Sequence, residues 1–281
     1  MKIAVSVEST NDLTQELLTK FDIKVIPYQI NLGDRSFKDG ELSVEELFAE
    51  VEAQKMLPKT TALNSFEYLE FFNELKKEYD AVVHVCLSSG LSSSCGNAFN
   101  AAKETDNVFV VDSKSLSTGI ALLAIYAREL ADQGVAPKEI QEKVQKRADK
   151  LQVSFVVERL DYLHKGGRCS SLALLGANLL KIRPRIVVNK DGKMGTDKKY
   201  RGSMGIVMSK YAQDVLNEFN TPDLTRVFIT YTTATEEMLV PVRKAVKEAG
   251  FKEIYETRAG GTIASHCGAN TMGILYFNDG E

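Results

Sequence analysis

Short apolar runs alternate with amphipathic segments through the first half of the chain. The runs Ala81–Leu87 and Val108–Val111 are almost continuously apolar, as is typical of parallel strands that are covered on both faces. Ile3–Val7 and Ile23–Ile30 are predicted as two further strands, and apolar residues at helical spacing occupy Leu13–Phe21 between them. Strands that alternate with helices predict βαβ units and a doubly wound parallel sheet.

Helix starts are marked by their capping residues. Ser43 precedes Glu46 by three positions, and Asn64 precedes Glu67 in the same way, so each pair has the form of a capping box. Pro137 stands just before a charged amphipathic segment, where it fits the first turn of a helix. These signals predict three helices whose first residues are defined by the sequence.

The second half of the chain contains strands with fewer helices between them. The sequence predicts strands over Val153–Val157, Ile186–Val188, Arg226–Tyr231, Glu253–Thr257 and Ile274–Phe277. Asp191-Gly192 is a hairpin turn signal, which favours an antiparallel or mixed sheet. We therefore expect an α/β domain over residues 1–150 and a smaller α/β domain over residues 151–281, with a ligand site between them.

Composition excludes several function classes. The formal net charge of -3 over 281 residues gives no electrostatic reason to expect nucleic acid binding. No apolar run is long enough to span a bilayer, and the start of the chain is too soon acidic for a signal peptide, so a cytoplasmic location is expected. The cysteines show no CxxC spacing and the histidines are dispersed, so we expect neither a metal nor a cofactor.

Three sequence patterns that would indicate common enzymes do not occur. The chain has no GxxxxGK(S/T) phosphate-binding loop, no GxGxxG dinucleotide fingerprint and no GxSxG nucleophile elbow. Independent ATP use, a standard dinucleotide site and an ordinary serine hydrolase site therefore lack support.

Polar residues cluster where a strand turns into a helix. The serine- and glycine-rich loop Leu87–Ser94 lies between a predicted buried strand and a helix expected to start near Ser94. Backbone amides and hydroxyls converge in such a loop, and the helix dipole favours an anion there. Simple N-capping by Ser92, Ser93 or Ser94 explains the same pattern, and the two interpretations are compatible.

Three more segments hold candidate binding residues. Thr60 and Thr61 follow Pro58, where adjacent threonines are also common as turn or cap residues. His266 stands between glycines, which indicates a bent backbone around an imidazole. Arg168 directly follows Gly166-Gly167, so its guanidinium could meet a carboxylate or phosphate, or could simply be solvated.

Taken together and in chain order, these segments resemble the DegV family of bacterial fatty-acid-binding proteins. Some members of that family are the acyl-carrying subunit of a fatty acid kinase. The segments that carry the resemblance are Ile3–Leu13, Pro58–Thr61, Leu87–Ser94, Leu160–Arg168, Lys199–Gly202 and Ser265–Gly268. The resemblance covers nearly the whole chain and implies the two-domain DegV architecture.

The resemblance also implies roles for individual residues. Thr60 and Ser92 match the threonine and the serine that bind the fatty acid carboxylate, and His266 matches a histidine at the carboxylate end of the ligand. Thr61 and Ser93 are further candidate ligand contacts, although this chain departs from the usual family residues beside both matched positions.

Two arginines are implied at the mouth of the ligand site. Arg168 and Arg201 match positions that would face the phosphoryl group carried by a separate ATP-dependent kinase subunit. Arginine suits such a position because it stays charged and binds phosphate through two donors.

The leading expectation is a lipid carrier without catalysis of its own. It would enclose a long-chain fatty acid in a tunnel and present the carboxylate to the kinase, with membrane contact a candidate route for ligand exchange. The apolar segment Leu172–Ile182 offers tunnel wall, although core packing explains it equally well. The alternative is a serine-dependent acyl hydrolase with Ser92 as nucleophile and His266 as base. The lack of an evident third residue that would orient the histidine counts against this alternative.

Overall fold

The computed structural model describes residues 1–169 and 182–280. The strands are β1 (Ile3–Glu8), β2 (Ile23–Ile26), β3 (Gln29–Leu32), β4 (Arg35–Lys38), β5 (Lys59–Thr61), β6 (Ala81–Cys86), β7 (Val108–Asp112), β8 (Leu151–Val156), β9 (Arg183–Val188), β10 (Met194–Tyr200), β11 (Arg226–Tyr231), β12 (Glu253–Arg258) and β13 (Met272–Phe277). The α-helices are α1 (Gln15–Lys20), α2 (Val44–Gln54), α3 (Ser65–Lys76), α4 (Ser94–Ala101), α5 (Thr118–Asp132), α6 (Pro137–Ala148), α7 (Asp161–Gly166), α8 (Met204–Glu218), α9 (Glu236–Glu248) and α10 (Gly261–Cys267).

A parallel sheet with the strand order β2-β1-β6-β7 organises the first part of the chain. Val5 of β1 pairs with Ile23 on one side and with Val83 on the other. Every residue of β1 and β6 is buried, which requires cover on both faces of the sheet. The predicted doubly wound parallel sheet is therefore confirmed.

The predicted single strand Ile23–Ile30 is wrong, because the chain changes sheets within it. Pro27 separates β2 from β3, and proline cannot donate to a strand ladder. β3 instead joins a small antiparallel sheet with the order β4-β3-β5, in which Ile30 pairs with Thr60. This small sheet was not predicted, and it positions one of the candidate binding residues.

The predicted helix starts are confirmed. Ser43 and Glu46 form a capping box at α2, and Asn64 and Glu67 form another at α3. Pro137 occupies the first turn of α6. Local hydrogen-bonding chemistry therefore defines where these helices begin.

The second sheet is mixed, as predicted, with the order β10-β9-β8-β13-β11-β12. β11 and β12 are parallel, whereas the other neighbours are antiparallel. The Asp191-Gly192 turn joins β9 to β10, and Gly192 has a φ of 71° there, which glycine adopts without strain. β10 itself was not predicted as a strand.

Helix α5 connects the two sheets. Its residues from Thr118 to Ile125 are all buried, and it contacts β1 and β6 on one side and β8 and β13 on the other. The Thr118 hydroxyl lies 2.7 Å from that of Thr230 on β11, so a polar contact reinforces the apolar packing. One hydrophobic core therefore extends from the parallel sheet into the mixed sheet.

Two further expectations concern the tunnel wall and membrane-spanning helices. The apolar residues Leu172, Leu174, Leu175, Leu179 and Leu180, considered above as tunnel wall, lie outside the described residues. Among the described helices, none combines the length and apolar character that crossing a bilayer requires.

Candidate functional site

A cavity lies between β5, the Ser-Gly loop and α10. Its polar wall contains Thr60, Ser92, Arg168 and His266, which are four of the residues that the sequence singled out. Its apolar wall consists of Ala62, Leu87, Leu91, Leu116, Met194, Ile263 and Cys267. We call this space the inner cavity.

Thr60 and His266 meet directly in its wall. Thr60 Oγ1 lies 2.8 Å from His266 Nε2, although 206 positions separate the two residues in the chain. Burial, and then the positive charge of Arg168, lower the pKa of His266 to about 4. The imidazole is therefore neutral at pH 7, and it adds a polar edge without a charge.

Gly166 and Gly167, which precede Arg168, each meet a steric requirement of the cavity wall. A Cβ added to Gly166 would lie only 2.6 Å from His266 Nδ1, so a side chain there would collide with the imidazole. Gly167 ends α7 with a φ of 69°, in the left-handed region. The first glycine permits the close approach of the histidine, and the second permits the turn.

Ser92 lies directly before the N-cap residue of α4 and lines the inner cavity. Its Oγ accepts a hydrogen bond from the backbone amide of Ser94 at 3.2 Å, at the start of α4. The Tyr28 hydroxyl donates to the same oxygen at 3.5 Å. The capping and anion-site interpretations of this loop are therefore both compatible with the geometry, and the helix near Ser94 is confirmed.

Two further candidates lie outside the cavity wall. Thr61 is exposed, and its hydroxyl accepts a hydrogen bond from Asn31 Nδ2 at 2.8 Å. Ser93 is exposed at the N-cap of α4. The alternation of side chains along β5 places Thr60 and Thr61 on opposite faces, so only Thr60 contacts the cavity.

The two candidate arginines occupy different places. Arg168 lines the inner cavity, and its guanidinium donates to the carbonyl oxygens of Gly166 at 2.6 Å and Leu91 at 3.4 Å. Arg201 is exposed directly after β10. Met194, at the other end of β10, contacts the cavity, and a strand of this length spans about 20 Å. Arg201 is therefore not brought to the cavity wall.

A basic groove adjoins the inner cavity. This outer groove shares Thr60, Arg168 and His266 with the inner cavity. It adds the side chains of Lys55, Lys59 and Lys165. The mouth therefore presents several positive charges next to the neutral hydroxyl and imidazole groups, an arrangement that attracts an anion.

Towards the mixed sheet the inner cavity adjoins a second space, which we call the deeper space. Leu116, Ile263 and Cys267 form the shared wall between the two. Phe155 and Leu275 of the mixed sheet line the deeper space. A cavity with one polar and one apolar wall, next to a basic groove, is suited to an elongated amphipathic molecule.

Two aspartates that sequence analysis did not single out hold α10 in place. Asp39 accepts hydrogen bonds from the backbone amides of Gly261 at 2.8 Å and Thr262 at 3.2 Å. Asp12 accepts one from Gly260 at 2.7 Å, and burial raises the pKa of this carboxyl well above its usual range. Carboxylates at the amino end of a helix satisfy its free amides. They thereby fix the helix that carries His266.

A buried cluster under the site resembles a set of metal ligands in residue type. Glu8, His84 and Cys86 have ligand atoms within 4.8 Å of one another. The Glu8 oxygens accept hydrogen bonds from the Tyr68 hydroxyl at 2.6 Å and from the Leu87 amide at 2.8 Å. These bonds give the carboxylate a structural task in positioning the start of the Ser-Gly loop.

The geometry bears on the hydrolase alternative. Ser92 and His266 line the same cavity, but the Nε2 atom of His266 is engaged by Thr60. Its Nδ1 atom has no hydrogen-bond partner among the described residues. A serine hydrolase needs a base that contacts the nucleophile and is oriented by a third group. The described residues do not supply that arrangement.

Comparison with solved structures identifies the architecture. A DegV family protein of Thermus thermophilus, described by its fatty acid binding, superimposes with a TM-score of 0.89 at 26% identity, covering 99% of each chain. DegV of Bacillus subtilis, described as a fatty acid binding protein, gives 0.86 at 26% identity, again over 99% of each chain. A Thermotoga maritima protein described as revealing a fatty acid binding function gives 0.84 at 27% identity, over 99% of each chain.

Sequence comparison leads to the same family. A DegV domain-containing protein of Caldanaerobacter subterraneus is 27% identical over 278 residues, which are 98% of each chain. Protein DegV of Bacillus subtilis is 27% identical over 282 residues, 98% of this chain and 99% of that one. The family model described as "Uncharacterised protein, DegV family" matches residues 2–279. The fold, the sequence relatives and the family model agree, and this chain belongs to the DegV family.

Proposed function

We propose that this chain binds a long-chain fatty acid, with the carboxylate at Thr60, Ser92 and His266. The observation that carries the proposal is the shared cavity wall, in which Thr60 and His266 are hydrogen-bonded at 2.8 Å and Ser92 faces the same space. Hydroxyl groups donate well to a carboxylate, and Arg168 adds a positive charge beside them. The fatty acid binding described for related DegV proteins supports the same ligand class.

The acyl chain would supply most of the affinity. Each buried methylene contributes about 0.8 kcal/mol, whereas a single hydrogen bond contributes about 1 kcal/mol net. The inner cavity and the deeper space together offer apolar wall from Leu91 to Leu275. The polar mouth would therefore fix the orientation of the ligand rather than its affinity.

The proposed carrier would present its carboxylate to a separate ATP-dependent kinase subunit. A carboxylate oxygen would bond to the γ-phosphorus of ATP held by that subunit, ADP would leave, and an acyl phosphate would result. Arg168 would assist at the mouth, and Arg201 would contact the kinase from the neighbouring surface. The lysines of the outer groove suit a phosphate-bearing partner.

Further parts of the proposal follow from this role. The ligand would lie between a domain of residues 1–150 and one of residues 151–281, in a protein of the cytoplasm that contacts the membrane when it exchanges ligand. It would need no cofactor or metal and would not bind nucleic acid. The chain would have no catalytic activity alone.

Native mass spectrometry of the purified full chain tests the proposal. We expect a mass increment equal to one fatty acid, which delipidation removes and added octadecanoate restores. Ester hydrolysis is measured on the same preparation with a chromogenic acyl ester. Failure of octadecanoate to bind the delipidated, folded protein would overturn the carrier. Ester turnover abolished by Ser92→Ala and retained by Ser93→Ala would favour the hydrolase.

A further inference from the structure

Two threonines that line the inner cavity have buried hydroxyl groups without a hydrogen-bond partner among the described residues. They are Thr10 and Thr262, whose side chains are 0% and 3% exposed. The other hydroxyl groups of the same wall, those of Tyr28, Thr60 and Ser92, all have hydrogen-bond partners. Buried hydroxyl groups are normally satisfied, so the pair indicates a ligand atom that is polar.

The position of the two threonines along the cavity is defined by its neighbours. Thr60, Arg168 and His266 also line the outer groove, whereas Ile263 and Cys267 also line the deeper space. Thr10 and Thr262 line the inner cavity alone. The two threonines, like Ser92, therefore belong to the part of the wall that neither neighbouring space shares.

Helix geometry gives the distance from the carboxylate end. Thr262 precedes His266 by four residues in α10, so the two side chains lie on one face about one turn, or roughly 5.4 Å, apart. A fatty acid whose carboxylate meets His266 would therefore pass Thr262 within its first few carbon atoms.

The chain segments that carry the two threonines are also tied together. Asp39 accepts a hydrogen bond from the hydroxyl of Ser9, the residue before Thr10, at 2.9 Å. The same carboxylate accepts one from the backbone amide of Thr262 at 3.2 Å. One aspartate thus joins the segments that carry both threonines.

We propose that Thr10 and Thr262 bind an oxygen substituent on the acyl chain, and that the ligands of this chain include fatty acids hydroxylated near the carboxylate. This rests on the proposed fatty acid binding and specifies its substrate class. A methylene chain leaves both hydroxyl groups unsatisfied, whereas a substituent hydroxyl donates to one threonine and accepts from the other. A site that pairs with a ligand hydroxyl discriminates against the analogue that lacks it.

The test compares three ligands on the delipidated full chain: hexadecanoate, 3-hydroxyhexadecanoate and 16-hydroxyhexadecanoate. We expect the native protein to prefer the 3-hydroxy acid over the 16-hydroxy acid. Thr10→Val and Thr262→Val keep the volume of the side chain and remove its hydroxyl. Each should lower the preference for 3-hydroxyhexadecanoate over hexadecanoate about fivefold, the effect of one hydrogen bond.

Control variants separate this role from a structural one. Thr61→Val removes an exposed hydroxyl outside the cavity and should leave the preference unchanged. Thr10→Ser and Thr262→Ser keep the hydroxyl and should retain the preference, which also covers the case in which a valine variant fails to fold.

Other outcomes would overturn the inference. Equal loss of hexadecanoate and 3-hydroxyhexadecanoate binding in the valine variants would place the two threonines on the carboxylate. Unchanged ratios in both variants would mean that they hold only water. Normal binding of hexadecanoate with no preference for the 3-hydroxy acid would refute this inference alone, whereas binding of no fatty acid would refute the proposed function.

Discussion

Asp39 Oδ1 accepts a hydrogen bond at 2.8 Å from the backbone amide of Gly261, which lies 222 positions later in the chain. The aspartate ends the small antiparallel sheet, and the glycine begins α10. Because the same small sheet carries Thr60 and α10 carries His266, this bond joins the two supports of the Thr60–His266 pair. The geometry of the polar mouth therefore depends on a residue that does not line it.

Asp39→Ala should both destabilise the protein and weaken octadecanoate binding at the polar mouth. The change removes the acceptor for two amides and for the Ser9 hydroxyl, so we expect a loss of about 1–3 kcal/mol in the free energy of unfolding. Urea denaturation measures the stability, and octadecanoate titration measures the site. Asp106→Ala, at an exposed aspartate, is the matched control. Native stability in Asp39→Ala would contradict this account of α10.

Thr60→Val and Ser92→Ala should each weaken fatty acid binding without unfolding the protein. Each hydroxyl should contribute on the order of 1 kcal/mol, or about fivefold in affinity, and more to a charged carboxylate. Isothermal titration with octadecanoate provides the measurement. Thr61→Val and Ser93→Ala, at the exposed neighbours, should bind normally. An unchanged affinity in the Thr60/Ser92 double variant would remove both residues from the site.

His266 should make stability depend on pH below neutrality. Its pKa in the folded protein is about 4, below the ordinary value of 6.5, so the unfolded chain binds more protons between these pH values. The stabilising contribution is complete above pH 6.5 and is lost as the pH falls towards 4. The unfolding free energy of the native protein should therefore fall more steeply than that of His266→Gln, by about 1.4 kcal/mol per pH unit. Parallel curves in denaturant titrations at pH 4.5 to 7 would contradict the neutral imidazole.

Arg201→Ala should separate ligand binding from use of the ligand. Because Arg201 is exposed and does not line the cavity, acyl binding should stay nearly intact. Acyl phosphate formation with the cognate kinase should fall sharply, since a guanidinium proposed to contact the kinase surface is lost. Lys252→Ala, at another exposed cation, is the control. Equal loss of both activities would assign Arg201 to the binding site or to structure, and an intact reaction would make it an ordinary surface residue.

Some parts of the fold could be predicted because local sequence determines them. The parallel sheet follows from apolar runs such as Ala81–Leu87, and α2 and α3 follow from capping boxes at Ser43 and Asn64. The small sheet could not be predicted, since its strands are only three or four residues long and Pro27 hides the change of sheet.

The site, like the fold, has some residues that the sequence predicts and others whose role appears only in the three-dimensional structure. Thr60, Ser92 and His266 were candidates because of residue type and family resemblance, and the structure brings them to one cavity. Asp39 and Thr262 were not candidates, because their importance arises from contacts across more than two hundred positions. Tyr28 lay unnoticed within a predicted strand, although a tyrosine directly after Pro27 was the one available signal.

The missing side chain at Gly166 makes this position a steric control point for the site. Its backbone does not need the left-handed region, so alanine is allowed there by conformation, yet the added carbon would press on His266. A single methyl group there would displace the imidazole of His266 while nearly all of the outer surface stayed native. Such a variant would keep the native exterior around a disturbed site, so it would separate recognition of the outer surface from binding inside the cavity.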